Sequence, residues 1–139
     1  MKERVCLIAG VGPGTGTECA QKFALGGYRV AMLARDKDRL TTLETTIKGT
    51  RSYVCDVSNL DQLVETTERV ATEMGPPSVV IHNAVSGNMD GGGASKFLES
   101  DPARLERNFR VNTTSLLYLA RATAPAMIEE GEGAIIVTG

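Results

Sequence analysis

Short apolar runs alternate with amphipathic stretches along almost the whole chain of 139 residues. The first run, from Val5 to Ala9, contains no charged residue and stops at a glycine, which is typical of a strand covered on both faces. Residues 15–25 then place their apolar side chains at helical spacing, and the alternation continues from there. Because strands alternate with helices, the sequence predicts a parallel sheet with right-handed crossovers. We therefore expect a doubly wound α/β domain with three layers, α/β/α.

The same pattern gives approximate positions for the strands and the first three helices. The second helix turns Leu40, Leu43 and Ile47 inward and is ended by Gly49. Ser58 is the predicted N-cap of the third helix. The strands are predicted at residues 5–9, 30–34, 52–55, 78–81 and 134–138.

A long fourth helix is predicted before the last strand. Asp101 is its expected N-cap, Pro102 suits its first position, and Pro125 is expected to kink it or end it early. A glycine-rich segment without periodicity, residues 86–96, predicts a surface loop ahead of it. The apolar stripe of the helix is predicted at Leu105, Phe109, Asn112, Leu116 and Leu119 or Ala120.

Charge and composition argue against several classes of protein. Lys and Arg together number 15 and Asp and Glu 17, a net charge of -2, whereas proteins that bind nucleic acid usually present a basic face. No apolar run approaches the roughly 20 residues of a membrane helix, so we expect no membrane partner. The three cysteines lack metal-site spacing and predict small buried side chains in a reduced, cytoplasmic compartment. The length fits one domain, residues 1–139.

A glycine-rich turn joins the first strand to the first helix, with Gly10, Gly14 and Gly16 in the pattern G-x-x-x-G-x-G. The pattern G-x-G-x-x-G does not fit, and a triphosphatase P-loop would need Lys followed by Ser or Thr where Thr17 and Glu18 stand. Glycines in such a turn let backbone N–H groups approach a pyrophosphate, and the helix N-terminus favours the anion. The alternative is a glycine-rich turn without a ligand.

Further motifs follow the glycine turn in order. Asp56 comes after the third strand, the four residues HNAV (82–85) after the fourth, and Asn112 lies in the fourth helix. The fifth strand ends in IVTG (136–139). Together these motifs resemble the short-chain dehydrogenase/reductase family over essentially the whole chain. The chain departs from the family pattern at Ala9, where the family has Thr, and at His82 and Val85, where it has Asn and Gly.

The resemblance implies a Rossmann-like sheet in the strand order 3-2-1-4-5, incomplete relative to the family, within a dinucleotide-binding domain. It also implies that Asp56 contacts adenine, that Asn83 holds a neighbouring strand beside the cofactor, and that Asn112 is a catalytic residue that binds a water in the proton relay. Alternatively, Asp56 caps a turn before Ser58 and Asn83 is a plain turn residue. The positions implied to bind the cofactor are Gly10, Pro13, Gly14, Thr15, Gly16, Arg35, Asp56, Val57, Asn83, Ala84, Val85, Val111 and Thr138.

Two of these positions carry residues that raise a physical question. Val85 replaces a glycine, and its β-branched side chain resists a positive φ and takes up room beside the ribose. Asn112 falls on an apolar helical stripe, where an amide is costly unless it is hydrogen-bonded. We therefore expect Asn112 to have a hydrogen-bond partner.

The end of the second strand bears on the choice between NAD and NADP. A dehydrogenase that prefers NAD places a carboxylate there for the ribose hydroxyls, whereas this chain has Ala34. Arg35 follows, and its forked donors suit a 2′-phosphate. Pro13 stands in the glycine turn where many NADP enzymes of the family carry a second basic residue. The alternative for Arg35 is a solvated charge at the start of a helix. We expect NADP rather than NAD.

The Ser, Tyr and Lys of the family's catalytic set have no counterpart in this chain. None of the three tyrosines is followed by Lys four residues later. One hypothesis is that the chain is the cofactor-binding portion of an oxidoreductase, truncated before the catalytic segment, whose complete form is a homo-oligomer acting on a carbonyl or alcohol. The other is a non-catalytic nucleotide-binding module, or pseudoenzyme, that acts through a partner.

Overall fold

A single parallel sheet organises the fold. The structure is a computed structural model that describes residues 2–86 and 98–138. Its strands are β1 (Val5–Ala9), β2 (Arg29–Ala34), β3 (Thr50–Val54), β4 (Val79–His82) and β5 (Ala134–Val137). All pairings are parallel, and the order across the sheet is β3-β2-β1-β4-β5. The predicted doubly wound, Rossmann-like fold and its strand order are confirmed.

Helices cover the two faces of the sheet. One face carries α1 (Thr15–Leu25) and α2 (Lys37–Thr46), which bury Ala20 and Leu40 against it. The other face carries α3 (Leu60–Met74) and α5 (Ser115–Glu130), which bury Leu63 and Leu119. A π-helical turn, Arg110–Thr114, joins α5 to the preceding α4 (Pro102–Phe109).

The middle strand explains why the first apolar run has no alternation. Cys6 and Ile8 of β1 pack into the core under α1 and α2, whereas Val5, Leu7 and Ala9 pack into the core on the opposite face. All five residues are at most 1% exposed. A strand that is buried on both faces needs apolar residues at every position.

The N-cap predicted for α3 is wrong by one residue. Asn59 caps the helix, and its side-chain oxygen accepts a hydrogen bond from the backbone N–H of Gln62. The Ser58 hydroxyl instead donates to the carboxylate of Asp56, 2.7 Å away. Ser58 and Asn59 are both residue types that cap helices. The Ser58 hydroxyl is used in the hydrogen bond to Asp56, and Asn59 is therefore the N-cap.

The long fourth helix departs from its prediction in two ways. Of the two outcomes predicted for Pro125, the early end is wrong, because α5 continues past it to Glu130 and stops at Gly131, whose φ is +70°. The predicted stripe is also interrupted, since Leu105 and Phe109 of α4 are 70% and 62% exposed. The π-helical turn adds a residue between α4 and α5, so one 3.6-residue period cannot describe both. The predicted N-cap Asp101 and the first-turn Pro102 are confirmed.

The last strand is exposed along its length. Ile135, Ile136 and Val137 of β5 are 37%, 42% and 53% exposed, although the strand pairs with β4. The glycine-rich segment predicted as a surface loop, residues 86–96, lies outside the described residues apart from Ser86.

Candidate functional site

A cleft opens at the carboxyl ends of the strands, where β1 lies between β2 and β4. The chain leaves β1 and β4 toward opposite sides of the sheet, which is the switch point at which doubly wound folds bind ligands. The cleft has a volume of about 430 Å³, and the glycine turn and the ends of β2, β3 and β4 surround it. Among the described residues, its ionisable side chains are those of Arg35, Asp36, Arg39, Asp56 and Arg107, together with the thiol of Cys55.

Two glycines of the turn are required by packing. Gly10 has a φ of +100°, and a Cβ built on it would lie 2.4 Å from the backbone nitrogen of Ala84. A Cβ on Gly16 would lie 2.4 Å from the backbone oxygen of Gly10. The N–H groups of Gly10 and Val11 both donate to the oxygen of Leu33, at 2.9 and 3.0 Å, which fixes the turn to the end of β2.

The other two glycines leave open space beside the turn. A Cβ built on Gly12 or Gly14 would meet no atom within 4 Å, and Gly12 lines the cleft. Gly14 is the N-cap of α1 and supplies no capping side chain. The first N–H groups of a helix lack intrahelical partners and carry a partial positive charge, so this end of α1 suits an anion.

Asn83 connects three strands at the edge of the cleft. Its backbone N–H donates to Ala9 at 2.8 Å, and its side-chain Nδ2 donates to Gly10 at 2.8 Å. Its Oδ1 accepts a hydrogen bond of 2.6 Å from the hydroxyl of Thr138, at the end of β5. The residue therefore does more than form a turn, because it holds the ends of β1, β4 and β5 together.

Asp56 occupies the wall of the cleft after β3. Its Oδ1 accepts hydrogen bonds from the backbone N–H and the hydroxyl of Ser58, at 3.0 and 2.7 Å, and its Oδ2 lies 3.8 Å from Nη2 of Arg107. Burial alone would raise the pKa of Asp56, but the Ser58 hydrogen bonds and the charges of Arg107 and Arg35 lower it. The carboxylate caps a turn, as one of the two interpretations had it, and presents a negative charge to the cleft.

A basic corner lies where β2 ends. Arg35 and Arg39 both line the cleft beside Ala34, and no carboxylate occupies the strand end itself. Asp36 caps α2 by accepting the N–H of Arg39 at 3.0 Å, and its other oxygen lies 3.6 Å from the Arg39 guanidinium. Arg39 thus brings a second guanidinium to this corner, paired with Asp36, where Pro13 leaves the glycine turn without a basic residue.

Asn112 sits in the π-helical turn and is exposed rather than buried on an apolar stripe. Its Oδ1 accepts the backbone N–H of Ser86 at 2.9 Å, and its Nδ2 donates to the backbone oxygen of Ser86 at 3.3 Å. The hydroxyl of Ser86 donates to Asn108 of α4 at 2.7 Å. The expected hydrogen-bond partner of Asn112 is thus the loop that follows β4.

The structure brings most of the predicted cofactor residues to the cleft. Val85 is 73% exposed, and no non-glycine residue among those described has a positive φ, so Val85 does not adopt a glycine conformation. The predicted residues that line the cleft are Gly10, Arg35, Asp56, Val57, Asn83, Ala84, Val85 and Val111. Those outside its lining are Pro13, Gly14, Thr15, Gly16, Asn112 and Thr138. Among the described residues, the lining residues not predicted are Val11, Gly12, Leu33, Ala34, Asp36, Arg39, Cys55, Ser86 and Arg107.

Comparison with known proteins agrees with this geometry. The family model described as short chain dehydrogenase matches residues 4–139. The chain belongs to the short chain dehydrogenase family. Among its relatives, a probable oxidoreductase, EphD, of Mycobacterium tuberculosis is 31% identical over 94% of this chain and 22% of its own length.

Solved structures of the short chain dehydrogenase family share the fold. A metagenomic short-chain oxidoreductase in complex with NADP has a TM-score of 0.87 and 31% identity, over 96% of this chain and 61% of its own. An NAD⁺-bound xylitol dehydrogenase has a TM-score of 0.85 and 25% identity, over 98% of this chain and 52% of its own. The chain thus spans only part of the relatives it matches.

Two kinds of feature are absent from the described ranges, 2–86 and 98–138. These ranges contain no helix long and apolar enough to cross a membrane. They also contain no group of three or more His, Cys, Asp or Glu side chains arranged to hold a metal ion.

Proposed function

We propose that the chain binds NADP(H) and is the cofactor-binding portion of an oxidoreductase. The complete protein would transfer hydride between the nicotinamide and a carbonyl or alcohol substrate. The observation that carries the choice of NADP is the basic corner, where the strand end has Ala34 in place of an acid, Arg35 follows it, and Arg39 lines the same cleft. The relatives are divided, because one solved structure holds NADP and another holds NAD⁺.

The open space beside the glycine turn and the hydrogen-bond donors of the cleft support dinucleotide binding. Gly12 lines the cleft, and a Cβ built on it would meet no atom within 4 Å, so this part of the turn is open to a ligand. The N-terminus of α1 would hold the pyrophosphate, and Arg35 and Arg39 would hold the 2′-phosphate. The carboxylate of Asp56, which its neighbours keep ionised, would accept a hydrogen bond from the exocyclic amine of adenine. The cofactor, once bound, supplies the hydride chemistry.

Titration of the chain with NADPH and NADH, by calorimetry, tests this assignment. We expect tighter binding of NADPH, and we expect Arg35→Ala or Arg39→Ala to weaken NADPH by about 10-fold or more, since each removes a charge-assisted hydrogen bond. NADH affinity should change little. Lys37→Ala is the matched control, because Lys37 lies between Arg35 and Arg39 in the sequence, at the first position of α2, and does not line the cleft. Equal affinities for both cofactors, unaffected by Arg35→Ala, would contradict the proposal.

A non-catalytic nucleotide-binding module is the second candidate. Both candidates accommodate the fact that the 139 residues contain no Tyr-x-x-x-Lys sequence. Both candidates predict cofactor binding, and they differ in turnover by the complete protein. NADPH oxidation by the complete protein, in the presence of a panel of carbonyl compounds, supports the oxidoreductase, whereas tight binding without oxidation supports the module.

We further propose that the protein is a cytoplasmic homo-oligomer. Large apolar side chains stay exposed on α4 and α5, with Leu105, Phe109 and Ile128 at 70%, 62% and 79%. Leu105 and Phe109 lie four residues apart, on one face of α4, and contiguous exposed apolar patches mark contact surfaces. Cys6 and Cys55 are free and buried, which fits a reduced compartment. Sedimentation analysis that gives a monomer across the accessible concentration range would contradict oligomer formation.

A further inference from the structure

A series of buried hydrogen bonds links the end of β4 to the π-helical turn. His82 and Ser115 are 2% and 0% exposed, and Nε2 of His82 lies 2.7 Å from Oγ of Ser115. The same Oγ lies 2.6 Å from the backbone oxygen of Val111. Neither His82 nor Ser115 lines the cleft, so these bonds act behind its wall.

The direction of each bond follows from the groups involved. A backbone oxygen can only accept, so the single hydrogen of the Ser115 hydroxyl is donated to Val111. The hydroxyl then has only lone pairs to offer, and Nε2 of His82 must carry the hydrogen that it donates to Ser115. Burial lowers the pKa of His82, which keeps the imidazole neutral at pH 7. We therefore assign the Nε2–H tautomer to the His82 ring, because that tautomer satisfies both the His82–Ser115 and the Ser115–Val111 contacts.

These bonds act at the point where the helix changes its hydrogen-bond pattern. The backbone N–H of Ser115 donates to Arg110, five residues earlier, as a π-helix requires. In a regular α-helix it would donate to Val111. Here the hydroxyl of Ser115, and not its N–H, bonds to Val111, and His82 holds that hydroxyl in place.

Two residues of the π-helical turn contribute to the cleft region. Val111 lines the cleft itself. The side chain of Asn112, the next residue, forms hydrogen bonds with the backbone N–H and the backbone oxygen of Ser86. Ser86 also lines the cleft. A shift of the turn by one residue would move the Asn112 amide away from Ser86, because side chains one position apart point about 100° apart on a helix.

We propose that His82 is a positioning residue. Its hydrogen bond to Ser115 holds the π-helical turn in the register in which the Asn112 side chain forms hydrogen bonds with the backbone of Ser86. The effect on cofactor affinity rests on the proposed NADP(H) function. The register itself does not, and it is measurable without cofactor.

Amide hydrogen exchange in the 139-residue chain tests the register. His82→Phe keeps the ring volume and removes the donor. We expect the Ser86 amide to exchange about 10-fold faster or more, since one buried hydrogen bond is lost. Two amides serve as references: that of Asn83, which donates to the backbone oxygen of Ala9, and that of Leu7 in β1. We expect the ratio of their exchange rates to stay as in the wild type. Equal acceleration at Ser86, Asn83 and Leu7 would show a merely structural role and overturn the proposal.

Three further variants make the test specific. His82→Gln offers an amide N–H near the same place and should restore Ser86 protection. Thr123→Val removes another buried hydroxyl that donates to a backbone oxygen of α5, that of Leu119 at 2.8 Å, and should leave Ser86 unchanged relative to Leu7. If His82→Phe does not fold, Ser115→Ala removes the same bond from the other partner. Failure of Ser115→Ala to accelerate Ser86 selectively overturns the proposal.

NADPH titration of the same variants separates this proposal from the proposed function. We expect His82→Phe to weaken NADPH by several-fold and His82→Gln to recover most of the loss. Selective loss of Ser86 protection with unchanged NADPH affinity overturns the link between His82 and the cofactor site. If the wild-type chain binds neither NADPH nor NADH, the proposed function fails, and the exchange result alone decides the register.

Discussion

Replacing Gly10 by alanine should destabilise the fold strongly, whereas replacing Gly12 should not. Alanine at position 10 meets two costs: the left-handed backbone, at φ +100°, and a Cβ 2.4 Å from the backbone nitrogen of Ala84. The first costs about 1–2 kcal/mol and the second about 1–3 kcal/mol, because backbone atoms cannot yield as a flexible side chain can. At about 2–4 °C per kcal/mol for a domain of this size, Tm should fall by on the order of 10 °C.

Gly12→Ala provides the matched control within the same turn. Its Cβ would meet no atom within 4 Å, so we expect a change in the free energy of unfolding within about 0.5 kcal/mol. The added methyl group would project beside the cleft and weaken NADPH. Thermal melts and NADPH titrations of both variants measure the two effects. A Gly10→Ala protein with wild-type Tm would refute the assignment of Gly10 to packing.

Three other predictions follow from the site. The 139-residue chain should show no detectable NADPH oxidation with carbonyl compounds, because a positioned acid contributes about 10²–10⁴-fold and the amide of Asn112 cannot replace it; turnover matching that of a longer natural form would contradict this. Asn83→Ala should lower the free energy of unfolding by about 1–3 kcal/mol, measured by urea denaturation, since Gly10 and Thr138 lose their side-chain partner. Burial lowers the pKa of His82 below its ordinary 6.5, so the unfolded chain binds more protons below that value. Stability should therefore fall as pH decreases from 6.5 to 5, and His82→Gln should reduce this slope; an unchanged slope would show that another group causes it.

The parts of the fold that the sequence predicts well are those where burial dictates residue type. β1 is buried on both faces and therefore reads as a run without polar residues. The bounds of α1 agree with its prediction because glycines stand on both sides of it. The N-cap of α3 could not be decided from spacing alone, since Ser58 and Asn59 are adjacent and the outcome depends on the turn made by Asp56.

The features that are hardest to predict depend on tertiary contacts of charged residues, whose sequence pattern is that of any solvent-exposed residue. Arg39 looks like any charged residue of α2, and Lys37 on the same helix stays away from the cleft. Arg107 belongs to a helix far along the chain from Asp56, yet the two meet at 3.8 Å. Charged side chains carry little periodicity of their own, so their position relative to a cleft emerges only when the helices are packed. The π-helical turn was missed for a related reason, because it breaks the period on which helix prediction depends.

The strand order also fixes when during synthesis the site can exist. The nascent chain can pair β1, β2 and β3 early, but β1 meets its second neighbour only after Val79–His82 has left the ribosome. At about 5–20 residues per second, the open side of β1 waits for a time on the order of seconds. The backbone oxygen of Leu33, which accepts hydrogen bonds from the glycine turn, is synthesised early. Asn83, which donates to the oxygen of Gly10, is synthesised about 50 residues later. A stalled or shortened nascent chain that ends before residue 83 would therefore contain only part of the sheet, with an exposed apolar edge on β1. Chaperones bind such exposed apolar segments. The glycine turn would lack its Asn83 contact, and we expect this species not to bind a nucleotide.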